Sequence, residues 1–107
     1  IDETSERKVP GYLEAVYQAA LAIELGERGI VFREQEPLPV AYKGKPVGHY
    51  VADFVVEDQV VLELKAVSRI TDVHRAQALN YLAATGLQLA IILNFGGEAL
   101  ESKRVLR

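Results

Sequence analysis

The segment Val60–Val67, VVLELKAV, restricts the possible folds of this chain more than any other. Six of its eight residues are apolar, as expected for a strand that is covered on both faces. Side chains alternate along a strand, so Glu63 and Lys65 share one face while Leu62 and Leu64 share the other. A buried ion without a partner costs several kcal/mol. We therefore expect these two charges to be paired, neutralised or bound to metal.

Two explanations fit this pair of charges. In the first, Glu63 and Lys65 form an ion pair at a sheet edge, with both head groups in solvent. The second involves Asp53, a poor strand former inside the preceding strand. The short turn at residues 57–59 predicts a hairpin in which Asp53 lies near Glu63, where each carboxylate raises the pKa of the other unless a cation lies between them. Such oxygen ligands suit Mg²⁺ or Mn²⁺. Alternatively, Asp53 pairs with Lys65 or ends its strand early.

The order of periodic segments predicts an α/β (α+β) fold in a single domain spanning residues 1–107. The polar residues 1–9 are expected to be a flexible or incomplete segment. The pattern predicts a helix, a meander of three strands, a second helix, and a strand or hairpin. The predicted elements are a helix from Gly11 to a stop at Gly29, an edge strand Val31–Tyr42 interrupted by Pro37 and Pro39, a turn Lys43–Gly48, strands Tyr50–Val56 and Val60–Ala66, a helix capped by Thr71 and Gly86, and strands Leu87–Phe95 and Ser102–Arg107.

Composition excludes several classes of protein. The 107 residues contain no cysteine, which rules out a disulfide framework or a thiolate metal site. No apolar run approaches the roughly 18 residues that cross a bilayer, and no signal peptide is expected, so a cytoplasmic location without membrane contact is the simplest interpretation. The net charge of -3 argues against a strong nonspecific grip on nucleic acid.

Two motifs in this order resemble a known family. Asp53, followed ten residues later by Glu63-Leu64-Lys65, resembles the PD-(D/E)XK nuclease signature, although Ala52 stands where that motif has proline. In the first helix, GYLEAVY contains Gly11, Glu14 and Tyr17 in the spacing GxxExxY. The chain is thereby identified as a member of the GxxExxY family of small bacterial proteins, within the PD-(D/E)XK superfamily. The resemblance covers about residues 10–97 and implies a restriction-endonuclease-like core, with a central mixed sheet flanked by helices.

The resemblance also implies roles for individual residues. Asp53, Glu63 and the Leu64 carbonyl would bind the metal, Lys65 would orient or deprotonate the attacking water, and Glu14 would ligate the metal directly or through water. Polar groups on two helices would position the substrate: Tyr17, His74, Gln77 and Tyr81. Simpler explanations are open for three of these residues: Glu14 as a partner of the helix dipole, Tyr81 as core, and Gln77 as its polar neighbour.

The expected function is a Mg²⁺- or Mn²⁺-dependent nuclease that hydrolyses DNA or RNA, with a homodimer as one expected form. The alternative is a non-catalytic module of the same fold that mediates protein or nucleic-acid interaction. An enzyme acting on small molecules lacks support, because the sequence has no glycine-rich phosphate loop, nucleophile elbow or HExxH motif. Family members usually carry a longer segment with a histidine before the first helix; residues 1–9 do not match it.

Overall fold

Two helices and five strands make up the part of the chain that the structure, a computed structural model, describes. It describes residues 10–107, with side-chain environments from residue 14 onward. The expected flexibility of residues 1–9 lies outside this range. The elements are α1 (Pro10–Glu27), β1 (Phe32–Tyr42), β2 (Lys45–Val56), β3 (Val60–Lys65), α2 (Asp72–Thr85), β4 (Leu89–Asn94) and β5 (Glu101–Leu106).

The strands form one mixed sheet in the order β1-β2-β3-β4-β5. Strands β1, β2 and β3 are antiparallel neighbours, as the predicted meander requires. Strand β4 then pairs parallel to β3, and β5 pairs antiparallel to β4. The parallel step needs a crossover, which α2 provides. The predicted α+β class, with a mixed sheet between helices, is confirmed.

Each face of the sheet is covered by one helix. On one face Leu25 of α1 packs in a cluster with Phe54, Leu62 and Leu64. On the other face Ala78, Tyr81 and Leu82 of α2 pack with a second set of buried residues from the sheet and the loop after β3: Leu38, Ala52, Val55, Val61, Ile70, Ala90, Ile92 and Val105. Among the described helices, none is long and apolar enough to cross a membrane.

The ends of α2 were predictable because both carry capping residues. Thr71 is extended and precedes the helix, while Gly86 follows it in the left-handed conformation at φ 78°. The Gly86 N–H donates to the Leu82 carbonyl at 2.8 Å, which satisfies a carbonyl that the helix end would otherwise leave free. The proline-containing strand β1 lies at the sheet edge, as predicted from its missing N–H donors.

The largest error in a predicted boundary is at the start of β2. Residues 43–48 were expected to form a turn, but β2 begins at Lys45. The turn consists only of Lys43 and Gly44, with φ of 53° and 77°, the left-handed conformations that two-residue hairpin turns favour. The chain therefore forms a hairpin longer than its Pro and Gly content suggests, and a register shift between Val40 and Ala41 accommodates it.

Candidate active site

The candidate site lies where β2 and β3 separate. Their backbone pairing ends at Phe54 and Leu62. Beyond that pair, the Asp53 N–H donates to Glu63 Oε2 at 3.0 Å, and the Leu64 N–H donates to Asp53 Oδ2 at 2.7 Å. Side-chain carboxylates thus replace backbone partners in the gap between the strands. The predicted approach of residues 53 and 63 is confirmed.

Lys65 reaches towards α2 and does not form either ion pair considered from the sequence. Its Nζ donates to Gln77 Oε1 at 3.0 Å. Glu63 is only 4% exposed and β3 is the central strand, so the edge ion pair in solvent is wrong. Among the described residues, no salt bridge links Lys65 to Asp53 or Glu63. The ammonium group therefore faces the site from one side and is held there by an amide oxygen.

Helix α1 brings a third carboxylate to the end of β3. The Ala66 N–H donates to Glu14 Oε2 at 3.3 Å, across a separation of 52 residues in the sequence. The charge of Glu14 also raises the pKa of Glu63, so the two side chains are close enough to interact. Glu14 lies beyond the first turn of α1 and its side chain binds the backbone of another element, so the helix-dipole explanation considered from the sequence does not account for it.

Burial and repulsion leave the two central carboxylates poorly neutralised. Burial, together with the charges of Asp53 and Glu14, raises the pKa of Glu63 from 4.5 to about 8. Burial also raises the pKa of Asp53 above its ordinary 3.8, although the Leu64 N–H, Lys65 and Gln35 favour its ionised form. Strongly perturbed carboxyl groups with a specific charged neighbour are typical of functional sites.

The other predicted residues differ in how close they come to the carboxylates. Tyr81 is 6% exposed, and burial and the charges of Glu63 and Asp53 raise its pKa to about 12. It therefore lies near the site while also packing in the core, against the Tyr50 ring at 5.2 Å between centroids. Both alternatives drawn for Tyr81 from the sequence, core and site neighbour, describe it.

Tyr17 and His74 have other partners. The Tyr17 ring stacks on Phe95 with centroids 4.2 Å apart. His74 lies in the first turn of α2, where its Nδ1 accepts the Thr71 N–H at 2.9 Å. In the described part of the chain, neither side chain forms a hydrogen bond to the carboxylates or to Lys65. The structure thus places Tyr17 in helix packing and His74 in a helix cap, and their role towards substrate stays a prediction.

A polar network behind the site was missed by sequence reasoning. Asn94, fully buried at the end of β4, accepts the N–H groups of Val67 at 2.9 Å and Gly96 at 3.0 Å. Its amide donates to Glu101 at 3.1 Å, and Glu101 also accepts the Ile70 N–H at 3.0 Å. These bonds fix the loop that directly follows Lys65. The only available signal was a polar residue ending an otherwise apolar strand.

A second missed set of residues connects α1 to β1 beside Asp53. Gln18 donates to Glu34 at 3.1 Å, and Gln35 donates to Gln18 at 2.8 Å. Gln35 also favours the ionised form of Asp53, and it adopts the unusual φ of 51°. Asp53 is thus influenced by polar groups of β1 and β3, and Gln18 of α1 holds the β1 residue Gln35 in place. Nothing in the local sequence marks Gln35, because a strand residue with positive φ is normally glycine or asparagine.

The donor set fits a hard divalent cation of the Mg²⁺ type. Among the described residues, no three His, Asp or Glu side chains lie close enough together to hold a metal ion. Asp53 and Glu63 nevertheless face each other in the gap between β2 and β3, and their raised pKa values mean that ionisation of the pair is costly without a cation. Mg²⁺ typically uses one or two carboxylates and keeps several waters. Asp53 and Glu63 meet that requirement, with the Leu64 carbonyl and Glu14 as further candidate ligands.

A mixed sheet between two helices, with an aspartate and a Glu-x-Lys at the point where two strands separate, defines a nuclease-like class of domain. The sequence matches the profile of the PD-(D/E)XK nuclease superfamily over residues 3–105. The chain belongs to that superfamily. No curated protein matches the sequence significantly.

Solved structures share this fold. The crystal structure of SSO0001 superimposes on this chain with a TM-score of 0.70 at 16% identity, covering 89% of this chain and 50% of that one. An alkaline exonuclease (LHK-Exo) from Laribacter hongkongensis gives a TM-score of 0.56 at 18% identity, covering 100% and 60%. The same exonuclease in complex with dAMP gives 0.51 at 15%, covering 87% and 55%. The chain thus spans between half and two thirds of the length of the structures it matches.

Proposed function

We propose that this protein is a metal-dependent nuclease that hydrolyses phosphodiester bonds of DNA or RNA. The observation that carries the proposal is the meeting of Asp53, Glu63 and Lys65 at the separation of β2 and β3. Membership of the nuclease superfamily and the fold shared with an alkaline exonuclease support it. Assignment to the GxxExxY family, from Gly11, Glu14 and Tyr17, belongs to the same proposal.

The proposed chemistry assigns distinct tasks to the residues of this site. A divalent ion such as Mg²⁺ or Mn²⁺, held by Asp53, Glu63 and the Leu64 carbonyl, would lower the pKa of an attacking water and offset phosphate charge. Lys65 directs an ammonium group towards the same space and would stabilise the hydroxide and the phosphate oxygens. Gln77 fixes the Lys65 side chain through its amide oxygen. Glu14 faces the site from α1 and would complete the ligand set, directly or through water.

The test is cleavage of labelled single- and double-stranded DNA and RNA during titration with Mg²⁺ or Mn²⁺. Wild type is compared with Asp53→Ala and Lys65→Ala. Removing a ligand or the ammonium group is expected to lower the rate by at least about 10²-fold, the scale of general acid–base and electrostatic contributions. Asp58→Ala and Lys103→Ala are matched controls, because both are exposed, and they should cleave like wild type. A melting curve for each variant separates lost chemistry from lost folding.

The alternative is a non-catalytic module that keeps this fold and binds a metal without cleaving nucleic acid. Calorimetry that detects Mn²⁺ binding, combined with no cleavage of any of the four substrates, would favour it over the nuclease. Four expectations from the sequence stay predictions: a single nuclease-like domain over this chain, a bacterial source, a cytoplasmic location and a homodimer. Sedimentation of the purified protein, with and without an oligonucleotide, tests the homodimer.

A further inference from the structure

The hairpin of β1 and β2 extends well beyond the rest of the sheet. β2 pairs with β1 from Lys45 to Val56, but it pairs with β3 only through Phe54, Val55 and Val56. Residues 41–49 are exposed without exception, so both faces of this distal part are in contact with solvent. We call residues 41–49 the arm. A two-stranded ribbon with two wet faces contributes little to a core, which suggests a role in binding.

The arm differs in charge from the rest of the protein. The chain as a whole has a net charge of -3, yet residues 37–52 contain no Asp or Glu. Lys43 and Lys45 stand on either side of Gly44 at the tip, and both are exposed. The arm is therefore a cationic projection from an acidic protein. It provides the local positive charge that the overall composition lacks.

Lysine at position 43 is not the residue that backbone preference alone would select for the turn at the tip. Lys43 adopts φ 53°, a left-handed conformation that disfavours residues with a Cβ. Asn or Gly would fit this turn position better. Lys43 Nζ lies 5.5 Å from the centroid of the Tyr42 ring, which is within range of a cation–π contact. Tyr42 is 65% exposed. A charge and a flat aromatic surface are thus presented together.

We propose that the arm binds a single-stranded segment of the nucleic acid, with Tyr42 stacking on a base and Lys43 and Lys45 contacting phosphates. This inference rests on the proposed nuclease function. Exposed aromatic rings beside cationic side chains are the usual means of holding single strands, because only unpaired bases offer a free face. Charge complementarity between Lys43, Lys45 and a phosphodiester backbone favours such a polyanion as the occupant.

Strand β2 carries both the second half of the arm and Asp53 of the site, so one nucleic-acid strand can reach the site and the tip of the arm. Asp53 follows Lys45 by eight residues on β2, a length of about 27 Å in an extended strand. That span equals about eight nucleotides at a stacked rise of about 3.4 Å. A strand cut at the site would therefore contact the tip about eight nucleotides from the scissile bond. Shorter oligonucleotides would occupy the site without reaching the tip.

The experiment measures binding of fluorescent single-stranded oligonucleotides of 15 and 4 nucleotides by anisotropy, in EDTA to prevent cleavage. Lys43→Ala/Lys45→Ala is expected to weaken 15-mer binding about tenfold and to reduce the slope of log Kd against log salt by about 1.4. Tyr42→Leu should weaken it at least fivefold. Neither variant should affect the 4-mer. Lys103→Ala/Arg104→Ala, which removes two exposed charges from β5, is the matched control and should stay within about twofold of wild type.

Several results would overturn the inference. If the β5 control weakened 15-mer binding as much as the arm variants do, the binding would depend on overall charge and not on the arm. If the protein bound duplex and Tyr42→Leu left that binding unchanged, stacking of Tyr42 on an unpaired base would be excluded. A change in sedimentation of the arm variants in place of weaker binding would assign the arm to a contact between copies. If wild type cleaved nucleic acid in Mn²⁺ and the arm variants had the same KM for long substrates, the proposed role of the arm would be refuted and the nuclease function would stand. Wild type that neither binds nor cleaves any nucleic acid would refute the proposed function as well.

Discussion

Replacement of Glu63 by glutamine should stabilise the metal-free protein at neutral and alkaline pH. Glu63 is 4% exposed, and burial, with the charges of Asp53 and Glu14, raises its pKa to about 8. Glutamine has nearly the same shape and stays neutral at every pH. Its side-chain oxygen can still accept the Asp53 N–H, which Glu63 Oε2 accepts at 3.0 Å. The substitution therefore removes the charge and preserves the packing.

The sign of the effect follows from the direction of the pKa change. A carboxyl group whose pKa is higher in the folded state favours folding below its unfolded pKa of 4.5, and this contribution is lost as the pH rises through about 8. At about 1.4 kcal/mol for each pKa unit, the difference from 4.5 to about 8 amounts to about 5 kcal/mol when the group is fully ionised. At pH 8 the folded-state carboxyl group is only about half ionised, so the effect there is roughly 4 kcal/mol. A natural domain is stable by only about 5 to 15 kcal/mol, so the effect should be large.

Urea denaturation in EDTA, followed by circular dichroism at pH 4.5, 6, 7 and 8, measures this difference. We expect wild type and Glu63→Gln to be nearly equal at pH 4.5, with the variant about 4 kcal/mol more stable at pH 8. Glu27→Gln is the matched control, since it removes the same charge from an exposed position in the last turn of α1. Added Mn²⁺ should reverse the order, because a ligand bound by the folded state stabilises wild type.

Two curves that run parallel from pH 4.5 to 8 would refute the reasoning. They would mean that the Glu63 carboxyl group titrates alike in the folded and unfolded protein, and that the site is better solvated than its burial indicates. A Glu63→Gln variant that gains as much stability from Mn²⁺ as wild type would separately show that the ion binds elsewhere. The first result concerns electrostatics and the second concerns metal ligation.

Three further substitutions test the packing around the site. Gly96→Ala should destabilise by about 2 to 3 kcal/mol in thermal denaturation, because a Cβ there would lie 2.5 Å from the backbone of the loop after β3; an unchanged melting point would contradict this contact. Gly26→Ala, in α1 with no atom within 4 Å, should instead stabilise by about 0.5 to 1 kcal/mol, and a lower melting point would count against it. Hydrogen bonds from Asn94 and Ile70 lower the pKa of Glu101, so its contribution is present above pH 4.5 and lost on acidification. Glu101→Gln should therefore flatten the acid limb of the stability curve, and an unaltered limb would show that Glu101 titrates normally.

The features that the sequence could predict are those fixed by near neighbours in the chain. The three-residue turn at residues 57–59 sets the register of β2 and β3, because the length of a hairpin loop determines which residues of its two strands face each other. Asp53 and Glu63 therefore had to approach each other. Thr71 and Gly86 likewise determined both ends of α2. In each case the deciding interaction spans ten residues or fewer, or depends on a local backbone preference.

The features that could not be predicted depend on distant parts of the chain. Asn94 accepts the Val67 N–H over 27 residues, and Glu101 accepts the Ile70 N–H over 31. No local pattern specifies such partners. The position of Glu14 beside Ala66 is of the same kind, since only the family resemblance indicated it. The hairpin turn was misjudged for a different reason: lysine before Gly44 is not a residue that left-handed turns favour.

The separation of β2 and β3 and the formation of the site have the same physical cause. Buried backbone N–H groups must be satisfied, and those of Asp53 and Leu64 are satisfied by the carboxylates of Glu63 and Asp53. Apolar residues at 53 and 63 would leave these N–H groups to a continued backbone ladder, which would close the gap. The carboxylates thus keep the strands apart, although their own burial opposes their charge. Because the pairing with β3 ends here, the rest of β2 can extend as the arm. One pair of acidic residues therefore both opens the site and frees the strand that we expect to hold its substrate.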